Sequence, residues 1–505
     1  MRSSATPSGR AHAKVAAALE EVHGGRVREH AAELAEHYRL AGPAYARSAW
    51  HFALRAGEAA AAGAEHDEAL RLLTEAAVLQ GGDPTVEPAE RETVLRGRAR
   101  ALTRVARPLE AWEPAAEAAR SALARRDGAA AAEALLTVTE RVVWGWRTHP
   151  TWDDEAIELW QTVLEQQPRE DVLTRARINA AIAVEMLYRP GSAHRATVLA
   201  DQAVAMVRST GRRGHAELQV LRLAQMALLR PDLLHHRAAL RDEIVSLALE
   251  VGDPIDVAAA LTARAQDLGE LGRLQEMQSD VVRAHELAVR HHLPQNIVVS
   301  GWCLSLRKQV DGDLAGAEQD IAEIERFQAT LAMSGVGIEV SQRANLRDVE
   351  GRLGEMEPHL RRAAPYHPAF RELHALSLLR AGRVDELRLL LGSYDEQPAF
   401  SFDYMWLPYM AVRAEVWSGL GDAAAAARMY DELLPYGDRL AYSVPVAFRG
   451  SMHLALGELA RVAGDPTAAA RHLEMALQVH RELGLAHWVG RTEEALTRLA
   501  GTVVG

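Results

Sequence analysis

The chain has 505 residues, 48% hydrophobic but only 5% aromatic, and a formal net charge of -12. Small apolar side chains in such numbers suit many thin helix-helix contacts better than one large globular core, and the acidic balance argues against binding nucleic acid or an anionic membrane, both of which need a basic surface. The single cysteine, Cys303, excludes an internal disulfide, the N-terminal MRSSATPSGR has no apolar h-region, and no apolar run approaches the roughly 20 residues of a membrane span, so a soluble cytoplasmic protein is expected.

Helical periodicity is nearly continuous, broken at short intervals by Gly, Pro and Asp. It predicts a first helix from Arg10 to about Val22, closed by His23-Gly24-Gly25, and a second ending at Ala41 before Gly42-Pro43. A third runs to about Gly63. The segment HDEALRLLTEAAVL gives a fourth, with Ala69, Leu73 and Ala76 in small-large-small order. Gly81-Gly82-Asp83-Pro84 and Pro88 make the first strong break, and further turns fall near Arg107-Pro108, His149-Pro150, Arg189-Pro190-Gly191 and Arg230-Pro231. Strand signals are almost absent, with no sustained period-2 alternation and no Asn-Gly hairpin turn.

From Gly272 onward the punctuation becomes regular, with turn glycines at 272, 312, 351, 382, 421 and 464, spaced by 40, 39, 31, 39 and 43 residues. The step of 31, which contains Pro365 and Pro368, is a register defect, and the aromatic loop Tyr394 to Phe402 is a second irregularity. A change of superhelical direction, a soft domain boundary or a merely shortened hairpin accounts for them. The expected organisation is an N-terminal helical entry segment with the first repeats over 1–85, a main superhelix over 86–395 and C-terminal repeats over 396–505.

The clearest unit is Ser451 to Trp488, SMHLALGELARVAGDPTAAARHLEMALQVHRELGLAHW. It predicts helices over Ser451–Ala463 and Thr467–Leu483 joined by Gly464-Asp465-Pro466, with Gly464 ending the first and Pro466 in the first turn of the second. Gly457, Ala469 and Ala476 fall where the two helices approach, and Leu456 and Leu473 fill the gaps. This order of small and large residues resembles the tetratricopeptide repeat. The resemblance implies an all-α fold, an α-solenoid of antiparallel helix hairpins, with a repeat near 40 residues in place of the usual ~34.

The run REHAAELAEHYRLAGPAYARSAWHFALRAGEAAAAGAEHDEALRLLTEA, and near the other end RHLEMALQVHRELGLAHWVGRTEEALTRLA, resemble the helical region of large bacterial signalling proteins. These are the MalT-like LuxR-type regulators, the AfsR-like antibiotic regulatory proteins and ATPase-linked nucleotide cyclases. A P-loop needs Gly-x4-Gly-Lys-Ser/Thr, and neither lysine, Lys14 or Lys308, has that context. A LuxR-type helix-turn-helix would follow the last repeat, and none is expected in the few residues that remain before Gly505. The resemblance therefore implies the effector- or partner-binding arm of such a regulator, without its ATPase or DNA-binding modules.

Catalytic patterns are not found. No His-Glu-x-x-His occurs, the adjacent pairs His235-His236 and His291-His292 point to different sides of a helix, and no Gly-x-Ser-x-Gly elbow is present. Asp153-Asp154-Glu155 sits where a predicted helix begins, and carboxylates favour that end. The expectation is a protein that is not an enzyme, with no cofactor and no metal.

In tetratricopeptide superhelices the first helix of each pair lines the inner face, and residues 13, 10, 6 and 3 before the turn glycine tend to face it. Counting back selects Glu185 and Tyr188, Gln266, Trp302 and Gln309, Ser341, Asn345 and Asp348, Glu415 and Ser418, and Glu458 and Arg461. Such a lining suits a ligand with hydrogen-bond donors or positive charge, whereas simple solvation is the plainer reading. Trp144, Trp146, Trp152 and Trp160 form a second candidate, either a stacking surface for a ligand or a core where repeats join. The function expected is a non-catalytic scaffold that binds a protein or peptide partner, or a small-molecule effector, in its concave groove. The alternative is a structural adaptor that oligomerises, with itself or with other proteins, through its end faces.

Overall fold

The computed structural model describes residues 7–24, 29–105, 107–140, 146–331 and 337–504. Among the described residues there are twenty-five α-helices and one two-stranded antiparallel hairpin. The fold is an all-α array of tetratricopeptide-like helical hairpins. It divides into two units, Met1–Leu228 and Leu229–Gly505, at the turn that Arg230-Pro231 marks in the sequence.

In the first unit Ala46–Ala62 pairs with His66–Gln80, Pro88–Arg104 with Pro108–Ala124, and Val172–Met186 with Ala193–Ser209. In the second, Pro254–Glu270 pairs with Leu274–Arg290, Pro294–Asp311 with Leu314–Thr330, and Pro368–Arg380 with Val384–Leu391. Trp406–Leu420 and Ala423–Leu433 follow, then Met452–Ala463 and Pro466–Glu482, on which Ala486–Val504 packs.

The turns explain why these boundaries fall where they do. All six glycines of the regular series lie in the left-handed region, with φ between +70° and +88°, a conformation that ends a helix without the steric cost a Cβ brings. The aspartate that follows three of them then caps the next helix. Asp313 accepts from Gly316 N at 3.0 Å, Asp422 from Ala425 N at 2.9 Å and Asp465 from Ala468 N at 2.9 Å. Gly-Asp is thus a stop and a start in two residues.

The register defect has a plain form. After Gly351 the second helix is reduced to a 3-10 turn, Leu353–Met356, and the seven-residue Glu357–Ala363. In the Tyr394 to Phe402 loop, Tyr394 stands edge-on to Trp417 at 5.3 Å and Phe402 to Trp406 at 5.0 Å, so the irregular backbone is anchored by rings.

One element departs from the expectation that strands are absent: β1 (Leu440–Ser443) and β2 (Ala447–Ser451), joined by Val444-Pro445-Val446. The glycine spacing conceals it. Between Gly421 and Gly464 the two helices have 11 and 12 residues, where the pair between Gly272 and Gly312 has 17 and 18. The shortened helices release the residues that build the hairpin, and the repeat period survives. A period-2 signal was present all the same, because Tyr442, Val444, Val446 and Phe448 alternate with Ser443, Pro445 and Ala447.

Close helix approach depends on missing side chains. A Cβ on Gly457 would stand 2.6 Å from Leu473 Cγ, and one on Gly57 would stand 2.7 Å from Leu73 Cγ. Gly457→Leu is therefore expected to lower stability by on the order of 1 to 3 kcal/mol through overpacking. Thermal melting checks this, and an unchanged midpoint would contradict the packing.

Candidate functional site

The β1–β2 hairpin is buried along its length, and what buries it is the face shared by the first helices of successive pairs. β1 packs on Pro254–Glu270 and Trp406–Leu420, and β2 on Pro294–Asp311, Ile338–Val349 and Trp406–Leu420. A short run of polypeptide therefore covers the face that these first helices share.

Side-chain amides hold its backbone. Gln266 Nε2 donates to Tyr442 O at 3.1 Å while Gln266 Oε1 accepts from Val444 N at 2.7 Å, so a single carboxamide reads both sides of one residue. Gln342 Nε2 donates to Pro445 O at 2.5 Å and to Trp302 O at 2.8 Å, and its Oε1 accepts from Ser305 and from Gln309 Nε2 at 2.7 Å. Asn345 Nδ2 donates to Val446 O at 2.9 Å. Buried amides are costly unless hydrogen-bonded, and here they are satisfied largely by backbone.

Charge fixes the far end. Arg449 donates to Asp348 at 2.7 Å and to Glu415 at 2.6 Å, and Arg380 and Arg491 complete the cluster on the same two carboxylates. Burial alone would raise the Asp348 carboxyl, but Arg449, Arg380 and Arg491 hold it below the usual range. Glu415, likewise opposed by burial, is held well below by Arg491, Arg380 and Arg449. At the base of β2, Ser451 N donates to His480 Nε2 at 2.8 Å, and His480 Nδ1 lies 3.0 Å from Thr492 Oγ1. Because Thr492 donates to the Trp488 carbonyl, His480 Nδ1 carries the proton and the ring is neutral.

Of the positions selected by counting back, Gln266, Asn345, Asp348 and Glu415 come together on this hairpin, and Gln309 reaches it through Gln342. Ser341 bonds Tyr409 Oη at 3.1 Å, Ser418 is buried, and Trp302 packs with Val298, Ile321 and Leu346. Glu458 and Arg461 pair with each other at 2.8 Å. In the first unit, Glu185 is 2% exposed and accepts from Trp146 Nε1 at 2.7 Å and Arg147 Nε at 2.6 Å, while Tyr188 meets His149 edge-on. Trp146 and Trp160 are buried and Trp152 is 43% exposed. Trp144 lies outside the described residues. Trp112 joins this group, 6.4 Å from Trp160 with Arg147 over its ring.

Counting back missed Gln342, one residue beyond Ser341, and it missed Arg449, whose strand was not expected. It also missed Gly269, where a Cβ would lie 2.1 Å from Tyr442 Cδ1. Only a helix without a side chain there admits the tyrosine ring.

No family model matches this chain, and no curated protein matches it. Among solved structures it is similar to a Rap protein complexed with competence and sporulation factor, at 12% identity and a TM-score of 0.37, covering 86% of this chain and 98% of that one. It is also similar to the APC/C hetero-tetramer Cut9-Hcn1 (12%, 0.40, 94% and 95%) and to yeast Tom70 (11%, 0.38, 96% and 96%). At these values no function passes from those proteins to this chain. Among the described residues, no helix is long and apolar enough to cross a membrane.

Two outcomes follow from the site. Gly269→Ala gains up to about 1 kcal/mol of helix propensity but is expected to destabilise the second unit by a net 1 to 3 kcal/mol, on the order of an overpacked core, by displacing Tyr442. Denaturant titration reads the sign, and a stabilised variant would contradict the contact. The second concerns acid. Burial pushes His480 down to about 4, against a smaller upward pull from the Trp488 backbone, and pushes His472 to about 4 with His453 and Arg471 adding to it. Folded values below the unfolded ~6.5 mean stability is complete above pH ~6.5 and declines as pH falls towards 4, by at most on the order of 3 kcal/mol per ring. Hydrogen exchange of residues 440–451, corrected for intrinsic rates, should lose protection over that interval in the wild type and less so in His480→Gln. Protection that stays flat down to pH 4 would refute the assignment.

Proposed function

We propose that this chain is a non-catalytic helical-repeat scaffold for protein or peptide recognition, the partner-binding arm of a bacterial signalling or transcriptional regulator. The observation that carries the reading is the inner face of the second unit, where Gln266, Gln342, Asn345, Asp348 and Glu415 hold polypeptide by its backbone and by one arginine. Amide side chains bonded to main chain recognise a polypeptide with little regard to sequence, and a buried carboxylate pair adds selectivity for a cation. The resemblance of the segments near both ends to regulators of the MalT and AfsR kind supports the signalling context.

In this reading successive hairpins act together, and a partner that touches several of them favours one curvature over another. A small-molecule effector would act in the same way. Cross-linking of the full chain to its co-purified partner, mapped by mass spectrometry, should place contacts on first helices of the pairs. Contacts confined to the end faces, together with a concentration-dependent mass in light scattering, would favour the oligomerising adaptor instead. Turnover of a small molecule that is abolished by Glu185→Gln, Glu415→Gln or Glu458→Gln would overturn the non-catalytic reading.

A further inference from the structure

We propose that the inner groove of the second unit is a binding site for a protein segment in trans, and that the β1–β2 hairpin is its resident occupant, a copy in cis of what the partner presents. The proposal rests on the scaffold reading above and deepens it by naming the site, the ligand chemistry and the competitor. The partner segment has an aromatic residue, a tight apolar loop and an arginine, in the pattern of Tyr442, Val444-Pro445-Val446 and Arg449.

Three observations point to an occupant that the groove was not built for alone. First, the grip is on backbone. Gln266, Gln342 and Asn345 contact main-chain atoms of residues 442 to 446, three of them in the turn, and contacts of this kind accept any segment that makes a similar tight turn. Second, the grip is incomplete on the groove side. Gln266 forms a two-sided bond, but Asn345 Oδ1 and Gln309 Oε1 are buried with no hydrogen-bond partner, though both residues are at least 95% buried. A looped segment with a free N–H beside these oxygens would complete them. Third, the hairpin brings polar atoms that the groove leaves unmatched, since Tyr442 Oη and Ser443 Oγ are also buried without partners. A pure core element is selected against such orphans on both sides. An occupant of a binding groove meets that pressure less strictly.

Competition follows from the connectivity. The hairpin is tethered at both ends, which gives it an effective concentration on the order of millimolar against any free segment. The groove is therefore closed in the ground state, and a partner gains entry only by outmatching the hairpin or where the hairpin is weakened.

The test uses the full chain and a fluorescein-labelled peptide of residues 439–451. In one variant a Gly-Ser linker replaces residues 440–451, and a second carries Tyr442→Ala with Arg449→Ala. Fluorescence anisotropy should show saturable binding to the linker variant, at least tenfold tighter than to wild type, with a loss of fivefold or more when Gln266→Ala is added. The doubly substituted chain should also bind the peptide more tightly than wild type does. Equal binding to wild type and linker variant overturns the proposal, as does a linker variant that keeps its circular dichroism and melting transition yet binds no peptide. If the linker variant fails to fold, the doubly substituted chain decides: a lower melting temperature without any gain in peptide binding makes the hairpin core rather than occupant. Exchange of hairpins between two copies, seen as a dimer that the peptide cannot dissociate, also overturns it. Cross-links from a natural partner that fall elsewhere on first helices would sink this inference and leave the scaffold reading intact.

Discussion

Arg449 between Asp348 and Glu415 is the contact from which the second unit takes its arrangement. A buried guanidinium without counter-charges is prohibitively costly, so the position of this strand is tied to the presence of both carboxylates. Those carboxylates lie on Ile338–Val349 and Trp406–Leu420, two helices that are not neighbours in the pairing order. Arg380 and Arg491 draw a further two helices to the same point. Charge pairing at one locus thus sets the distance between four helices that ridge-and-groove packing alone would leave adjustable.

The helical framework was legible because its signals are local. A left-handed glycine and the aspartate after it are read from two residues, and Gly457 opposite Leu473 from a hairpin of about forty. The hairpin was not legible by the same route, since its inclusion was compensated by shorter helices and the glycine interval of 43 looked ordinary. Its alternating Tyr442, Val444, Val446 and Phe448 were a usable signal, yet seven residues of alternation do not outweigh a long periodic context.

The site was legible in part, and the reason is geometric. Counting back from a turn glycine gives the face of a helix, and Gln266, Asn345, Asp348 and Glu415 are indeed on one face. It does not give what that face meets. Glu458 meets Arg461 on its own helix, and Glu185 meets Trp146 and Arg147 from a preceding loop. These are the same residue types at equivalent positions, and only the contacts each one makes separate them. Periodicity carries no information about partners 100 or more residues away.

The bond between Gln266 and Val444 spans 178 positions. In a linear repeat array each module answers chiefly to its neighbours, so modules form in any order. A clasp over such a distance changes that, because loop closure of this length adds an entropic barrier and delays the last step. As the chain is synthesised from its N-terminus, the helices carrying Gln266, Asn345 and Glu415 leave the ribosome before the strand that covers them. Their polar face thus has no cover until residues 440–451 have been synthesised.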